Sequence, residues 1–300
     1  MKKSSIILGA SFFFTVAIAL FFSTRSIPPA AQWNFESEVC RAAYSSLYAR
    51  DSIDARIVFG YKDARPARFV ADRYERLLFI EKILAGCAQG EFACGFRRSE
   101  KDGDLFLKSI SGPDGRHREV YLRVIGSSVG PDDEENRKDP FQAWKSRTAE
   151  SAFFQGLANA DLVFYNGHSR AGGGPDFSPP ELDASLGVAF GWYKNRQPGF
   201  SRMEDSLKHE PNFLKLLGLF SCASNRLFVK SIEAVRPGIG VMSSSKLIYF
   251  SDALENSREM LSAVLGMKCE KAFTNLTRKP EMQAAGTRIS GFFEDLKPSL

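Results

Sequence analysis

Two apolar runs in this chain end on residues that can do chemistry. Asp161-Leu162-Val163-Phe164-Tyr165-Asn166-Gly167 leads to His168, and the run from Leu214 to Phe220, extended by Ser221, leads to Cys222. An imidazole can draw the proton from a thiol, and the resulting thiolate is the nucleophile of an acyl transfer. In an open parallel sheet the reacting groups collect beyond the carboxyl ends of the strands, so neighbouring strands ending in His and Cys bring base and nucleophile together. The spacing between them leaves room for one crossover connection. Ser221 and Ala223 are small enough to let a substrate backbone approach Cys222. The turn into Ser224-Asn225 and a following helix offers free N–H groups to an oxyanion.

Such a site needs strands that alternate with helices, and the remaining sequence has that pattern. Residues 36–50 read as a helix with Val39, Ala43 and Leu47 on one face, residues 56–61 as a short strand, and residues 73–85 as a helix closed by Gly86. Residues 105–110 and 118–125 flank Ser111-Gly112-Pro113-Asp114-Gly115 as the arms of a hairpin. Residues 129–140, with Asp132-Asp133-Glu134-Glu135, read as a polar surface loop open to cleavage.

A helix over residues 146–160 precedes the strand that ends at His168, and residues 172–180, rich in Gly and Pro, must form a loop beside it. A helix over 201–208 precedes the strand that ends at Cys222. Residues 227–235 are helical in pattern, Pro237-Gly238 breaks them, 239–245 read as strand and loop, and 251–265 as a closing helix ended by Gly266. The expected fold class is α/β, a three-layer α/β/α sandwich with a mainly parallel sheet covered on both faces.

The His/Cys pair resembles the signature of the caspase, legumain and gingipain group of cysteine peptidases (clan CD). In that group an apolar strand ends in His, usually followed by Gly, and a second apolar strand ends in a small residue and Cys. The likeness extends through the order of elements from about residue 56 to residue 265. The resemblance implies a caspase-like fold in which His168 assists catalysis and Cys222 attacks the scissile carbonyl. It further implies that the backbone N–H groups of Ser169 and Cys222 form the oxyanion hole. This chain departs from the pattern in carrying Ser169 where Gly is usual, with Gly167 before the His. Asp176, in the loop beside His168, and Ser243, before the segment expected to frame the groove, are candidate substrate contacts; after Pro175, Asp176 also suits a turn.

Composition bounds the rest. A chain of 300 residues with 44% hydrophobic content and 26 Phe can bury a large core. Its net charge of +5 is spread over 40 basic and 35 acidic residues without a dense basic block, so no nucleic-acid partner is expected. No cofactor or metal is expected either. His117, His168 and His209 lack ligand spacing, and Gly172 to Gly174 are not followed by the Lys-Ser/Thr of a phosphate loop.

Lys2-Lys3 precede an uncharged run from Ile6 to Phe22. That run exceeds the apolar core of a cleaved signal, about 7–15 residues, and reaches the short end of a bilayer span. Residues 1–26 therefore read as a signal anchor, 27–50 as a linker and N-terminal helix, and 51–300 as the α/β domain, held extracytoplasmically and released if the anchor is cleaved. In that compartment Cys40, Cys87, Cys94 and Cys269 are the bridge candidates and Cys222 the free thiol. Several connectivities fit; Cys87 with Cys94 is the pairing favoured by its short loop.

The expected activity is that of a membrane-anchored cysteine endopeptidase acting on protein or peptide substrates through an acyl-enzyme. Two alternatives stand beside it. Gly167-His168-Ser169-Arg170-Ala171 approximates the G-x-S-x-G elbow of a serine esterase, with Ser169 as nucleophile and His209 as the only later His, although that elbow must lead straight into a helix. A non-catalytic caspase-like binding or scaffold domain predicts ordinary reactivity at Cys222.

Overall fold

Every residue of Leu162–Asn166 and of Leu216–Phe220 is buried, the pattern of strands covered on both faces. These are β5 and β6 of a computed structural model that describes residues 35, 37–62 and 72–293. The expected N-terminal anchor and its linker lie outside the described residues. Among the described residues no helix is long and apolar enough to cross a membrane.

The chain runs through α1 (Glu38–Leu47), β1 (Ser52–Phe59), α2 (Asp72–Leu84), β2 (Arg97–Arg98), β3 (Leu105–Ser111) and β4 (His117–Gly126). It continues through α3 (Asp133–Lys138), α4 (Gln142–Asn159), β5, α5 (Phe190–Arg196), α6 (Pro198–Leu207) and β6. It ends with α7 (Lys230–Val235), β7 (Gly240–Ser244), α8 (Phe250–Leu265), α9 (Glu270–Leu276), α10 (Pro280–Ala285) and β8 (Thr287–Ser290).

The eight strands form one sheet in the order β2-β3-β4-β1-β5-β6-β7-β8. The central five, β4, β1, β5, β6 and β7, are parallel. The expected hairpin forms as β3 and β4, while β2 and β8 add antiparallel edges. From β1 the chain moves to β4 on one side and then returns to β5 on the other. The strand order reverses there, between β1 and β5, and open α/β sheets place their sites beside such a switch at the carboxyl ends.

Helices cover both faces, giving an α/β fold with a mostly parallel sheet. Tyr44, Phe79, Leu261, Phe273 and Met282, from α1, α2, α8, α9 and α10, pack on Ile57, Phe164 and Phe220 of one face. Phe153, Met203 and Ile232, from α4, α6 and α7, pack on Val58, Tyr165 and Leu219 of the other.

Two details differ from the sequence reading. Residues 129–140 are not an open loop but carry α3: Asp132 caps it by accepting from the Glu135 N–H at 3.0 Å, and its acidic first turn and basic last turn complement the helix dipole. Asp133 and Asn136 are buried against Tyr61, whose hydroxyl donates to Asp133 at 2.7 Å and accepts from Asn136 Nδ2 at 3.1 Å. Tyr44 and Tyr48 of the first helical segment also lie in the core and donate to the Lys268 and Leu265 carbonyls. Lastly, α5, α9, α10 and β8 were not anticipated.

Disulfides join Cys40 to Cys269 and Cys87 to Cys94, leaving Cys222 as the free cysteine, as the parity of the cysteines suggested. Two such bridges are the chemistry of an oxidising, extracytoplasmic compartment.

Candidate active site

His168 and Cys222 leave the sheet at the same level. The β5–β6 register pairs Asn166 with Phe220, and the Gly167 N–H continues the ladder to the Phe220 carbonyl at 3.5 Å. Each of the two residues therefore stands two positions past the last pair, on adjacent parallel strands. Position 167 admits only glycine: a Cβ there would lie 2.3 Å from the Tyr165 hydroxyl. That hydroxyl folds back to donate to the His168 carbonyl and accepts from the Asp176 N–H, both at 3.0 Å. Burial raises the Tyr165 phenol above its ordinary range, so it stays protonated and fixes the backbone of the His loop.

Past β6 the chain turns sharply, with Ala223 in the left-handed region at φ +53°. The Ser224 hydroxyl donates to the Leu219 carbonyl at 2.6 Å and accepts from the Ser244 N–H at 2.9 Å, while the Ala223 N–H donates to the Lys246 carbonyl at 2.8 Å. Small residues are required because the turn is pinned between β6 and the segment after β7. Cys222 sits at its corner, half-buried, with Sγ 3.9 Å from the Ile248 carbonyl oxygen. A π-helical turn, Asn225–Val229, then leads into α7. Among the described residues the amide N–H groups of Cys222 and Ser169 have no hydrogen-bond acceptor.

A further residue joins this site. Lys62, three residues past β1, is enclosed and ion-paired with Glu75 of α2, and its Nζ lies 4.0 Å from the ring centroid of Phe250 at the start of α8. Phe250 in turn stands against the His168 imidazole. Burial pulls the Lys62 ammonium below its ordinary range, while Glu75, Asp72 and Cys222 act to keep its proton on. Asp72 is buried beside it, accepting from the N–H groups of Ser127 and Ser128 at 2.9 Å each. The sequence signal was available: Lys62 follows an apolar strand, as His168 and Cys222 do.

Other sequence candidates have different duties. The Asp176 carboxylate takes the Arg170 guanidinium at 2.9 Å and the Tyr193 hydroxyl at 3.0 Å, and the Arg170 side chain is 2% exposed. Ser243 lies inside β7, 1% exposed, and accepts from Asn225 Nδ2 at 3.1 Å, which braces the turn after Cys222 instead of lining a groove. The segment beyond it does reach the surface: Leu247 and Tyr249, each 76% exposed, flank buried Ile248 beside Cys222.

Ser169 enters a 3-10 turn, Arg170–Gly172, and not the helix an esterase elbow needs. His209, in the connection that feeds the amino end of β6, is at the far end of the sheet, as is His117 at the start of β4. Among the described residues no group of three His, Cys, Asp or Glu side chains is placed to hold a metal ion. The chain matches no protein-family model, and comparison with curated proteins and with solved structures gives no match.

Proposed function

We propose that this protein is an exported, membrane-anchored cysteine endopeptidase of caspase-like fold, acting on protein or peptide substrates. The observation that carries the reading is the exit of His168 and Cys222 from adjacent parallel strands at one register level, at the carboxyl ends of those strands. His168 draws the Cys222 proton, and the sulfur attacks the scissile carbonyl carbon. The electron pair of the C=O bond moves to oxygen, which the N–H groups of Ser169 and Cys222 receive. Collapse of this intermediate breaks the C–N bond, and His168 returns the proton to the leaving amine. Water then attacks the thioester, gives a proton to His168 and releases the acid, and the thiol is restored.

The test labels the full chain at near-neutral pH with a peptide-like acyloxymethyl ketone, maps the modified peptide, and follows hydrolysis of a mixed peptide pool. Rapid labelling confined to Cys222, lost in His168→Ala together with hydrolysis, is expected. Labelling of Cys222 no faster than that of an unfolded cysteine, and indifferent to His168, overturns the peptidase in favour of a binding domain.

A further inference from the structure

We propose that Lys62 is a positioning residue of this site, its contact with Phe250 seating the ring that borders His168. The inference rests on the reading of Cys222 as nucleophile.

Three strand ends converge on one short segment, residues 246–250. Lys62, beyond β1, stands 4.0 Å from the ring centroid of Phe250. His168, beyond β5, meets the same ring with centroids 5.6 Å apart. Cys222, beyond β6, touches the carbonyl of Ile248, two residues earlier. The charged groups facing Lys62 are Glu75 and Asp72 from α2 and Cys222 from the turn after β6. The Asp72 carboxylate is taken up by Ser127 and Ser128, whose two N–H groups and one hydroxyl donate to it.

A structural role alone does not account for this lysine. Enclosing an ammonium and a carboxylate carries a desolvation penalty that a single pairing seldom recovers, and apolar residues of similar size usually fill such a place as well or better. Here the pair is not even fully satisfied, because Glu75 Oε1 has no hydrogen-bond partner among the described residues. A buried, incompletely satisfied charge at the carboxyl edge of a parallel sheet is the signature of a group retained for what it does to its neighbours. The Phe250 ring receives the Lys62 Nζ, and the same ring borders His168, so the lysine fixes the position of the group that seats the imidazole.

The test compares full-length wild type with the double variant Lys62→Met/Glu75→Leu, which leaves no unpaired charge behind, and with Lys62→Arg. Each is alkylated with iodoacetamide across pH 6 to 9, with the melting temperature measured in parallel. The double variant is expected to melt at or above wild type, yet its Cys222 alkylation at pH 7 falls severalfold, because a misplaced His168 draws the thiol proton less well, and recovers at higher pH where the thiol ionises unaided. Lys62→Arg is expected to hold the wild-type profile if it folds. A folded double variant with the wild-type rate and profile overturns the proposal. So does a wild-type Cys222 that reacts no faster than an unfolded cysteine. Lys62-dependent alkylation in a protein that hydrolyses no peptide sustains this proposal and removes only the peptidase.

Discussion

Phe250 stands edge-on to the His168 imidazole, with ring centroids 5.6 Å apart and an interplanar angle of 75°. The contact joins the amino end of α8 to the loop after β5, so the orientation of the His168 ring depends on a helix more than eighty residues further along the chain. Edge-to-face pairs are worth about 0.5–1.5 kcal/mol beyond the area they bury, and a cation over the same ring adds a comparable amount. Phe250→Leu keeps most of the apolar volume and loses the ring. We expect it to fold with a stability loss of about 1 kcal/mol and to slow Cys222 labelling severalfold. Urea unfolding and labelling kinetics measure the two effects separately, and unchanged labelling would show that the ring does not orient the base.

The two disulfides differ in what they hold together. Cys40 to Cys269 spans 229 positions and ties α1 to the start of α9, whereas Cys87 to Cys94 spans 7. Loop-closure entropy makes the long bridge worth about 5 kcal/mol and the short one about half of that. Replacing each pair by alanines is therefore expected to lower the unfolding free energy in that order, measured by urea titration at one pH. The reverse order would place the stabilisation in the local turn after α2.

The placement of His168 and Cys222 just past adjacent strands was legible because an apolar run that ends on a reactive side chain is a local signal. The same reading stops at Tyr61, one residue short of Lys62, since a lysine after a strand ordinarily faces water. Glu75 of α2 and Phe250 of α8 both meet it, and no local pattern announces neighbours so distant in sequence. The acidic stretch at Asp132 to Glu135 reads as a loop on its charge, although the same acids suit the first turn of a helix. Asp176 beside Pro175 carries a turn signal, but its commitment to Arg170 and Tyr193 depends on how the loop folds back. For β8, four residues long, the pairing with β7 exists only once the sheet is assembled.

Asp176 and Arg170 provide the contrast to a substrate contact. The Arg170 side chain is 2% exposed, and its Nε donates to Asp176 at 2.9 Å. Asp176→Asn takes one anionic partner from an enclosed guanidinium, and is thus expected to destabilise the domain without altering which side chains are preferred in any peptide the protein cleaves. Thermal unfolding and a peptide-library profile at a temperature where the variant is folded test both parts. A stable variant with a changed preference for basic side chains would return Asp176 to the substrate groove.

Asp72 sets a pH dependence whose sign follows from its burial. Desolvation raises its carboxyl above the ordinary value, opposed by the donors of Ser127 and Ser128 and by Lys62. Between the ordinary carboxylate value of about 3.9 and the raised folded value, the folded state binds more protons than the unfolded chain. This group's contribution to stability is therefore fully present below the ordinary value and is lost as pH rises through the folded one. Asp72→Asn cannot ionise, so its stability relative to wild type should improve steadily from pH 4 toward neutrality. The Asn carbonyl oxygen can still accept from the two serine amides, which keeps the ends of β1 and β4 tied. Urea midpoints for both proteins across pH 4 to 8 decide the matter: converging curves at low pH and a wild-type deficit at neutral pH are expected, while parallel curves would mean that the three serine donors fully offset the burial.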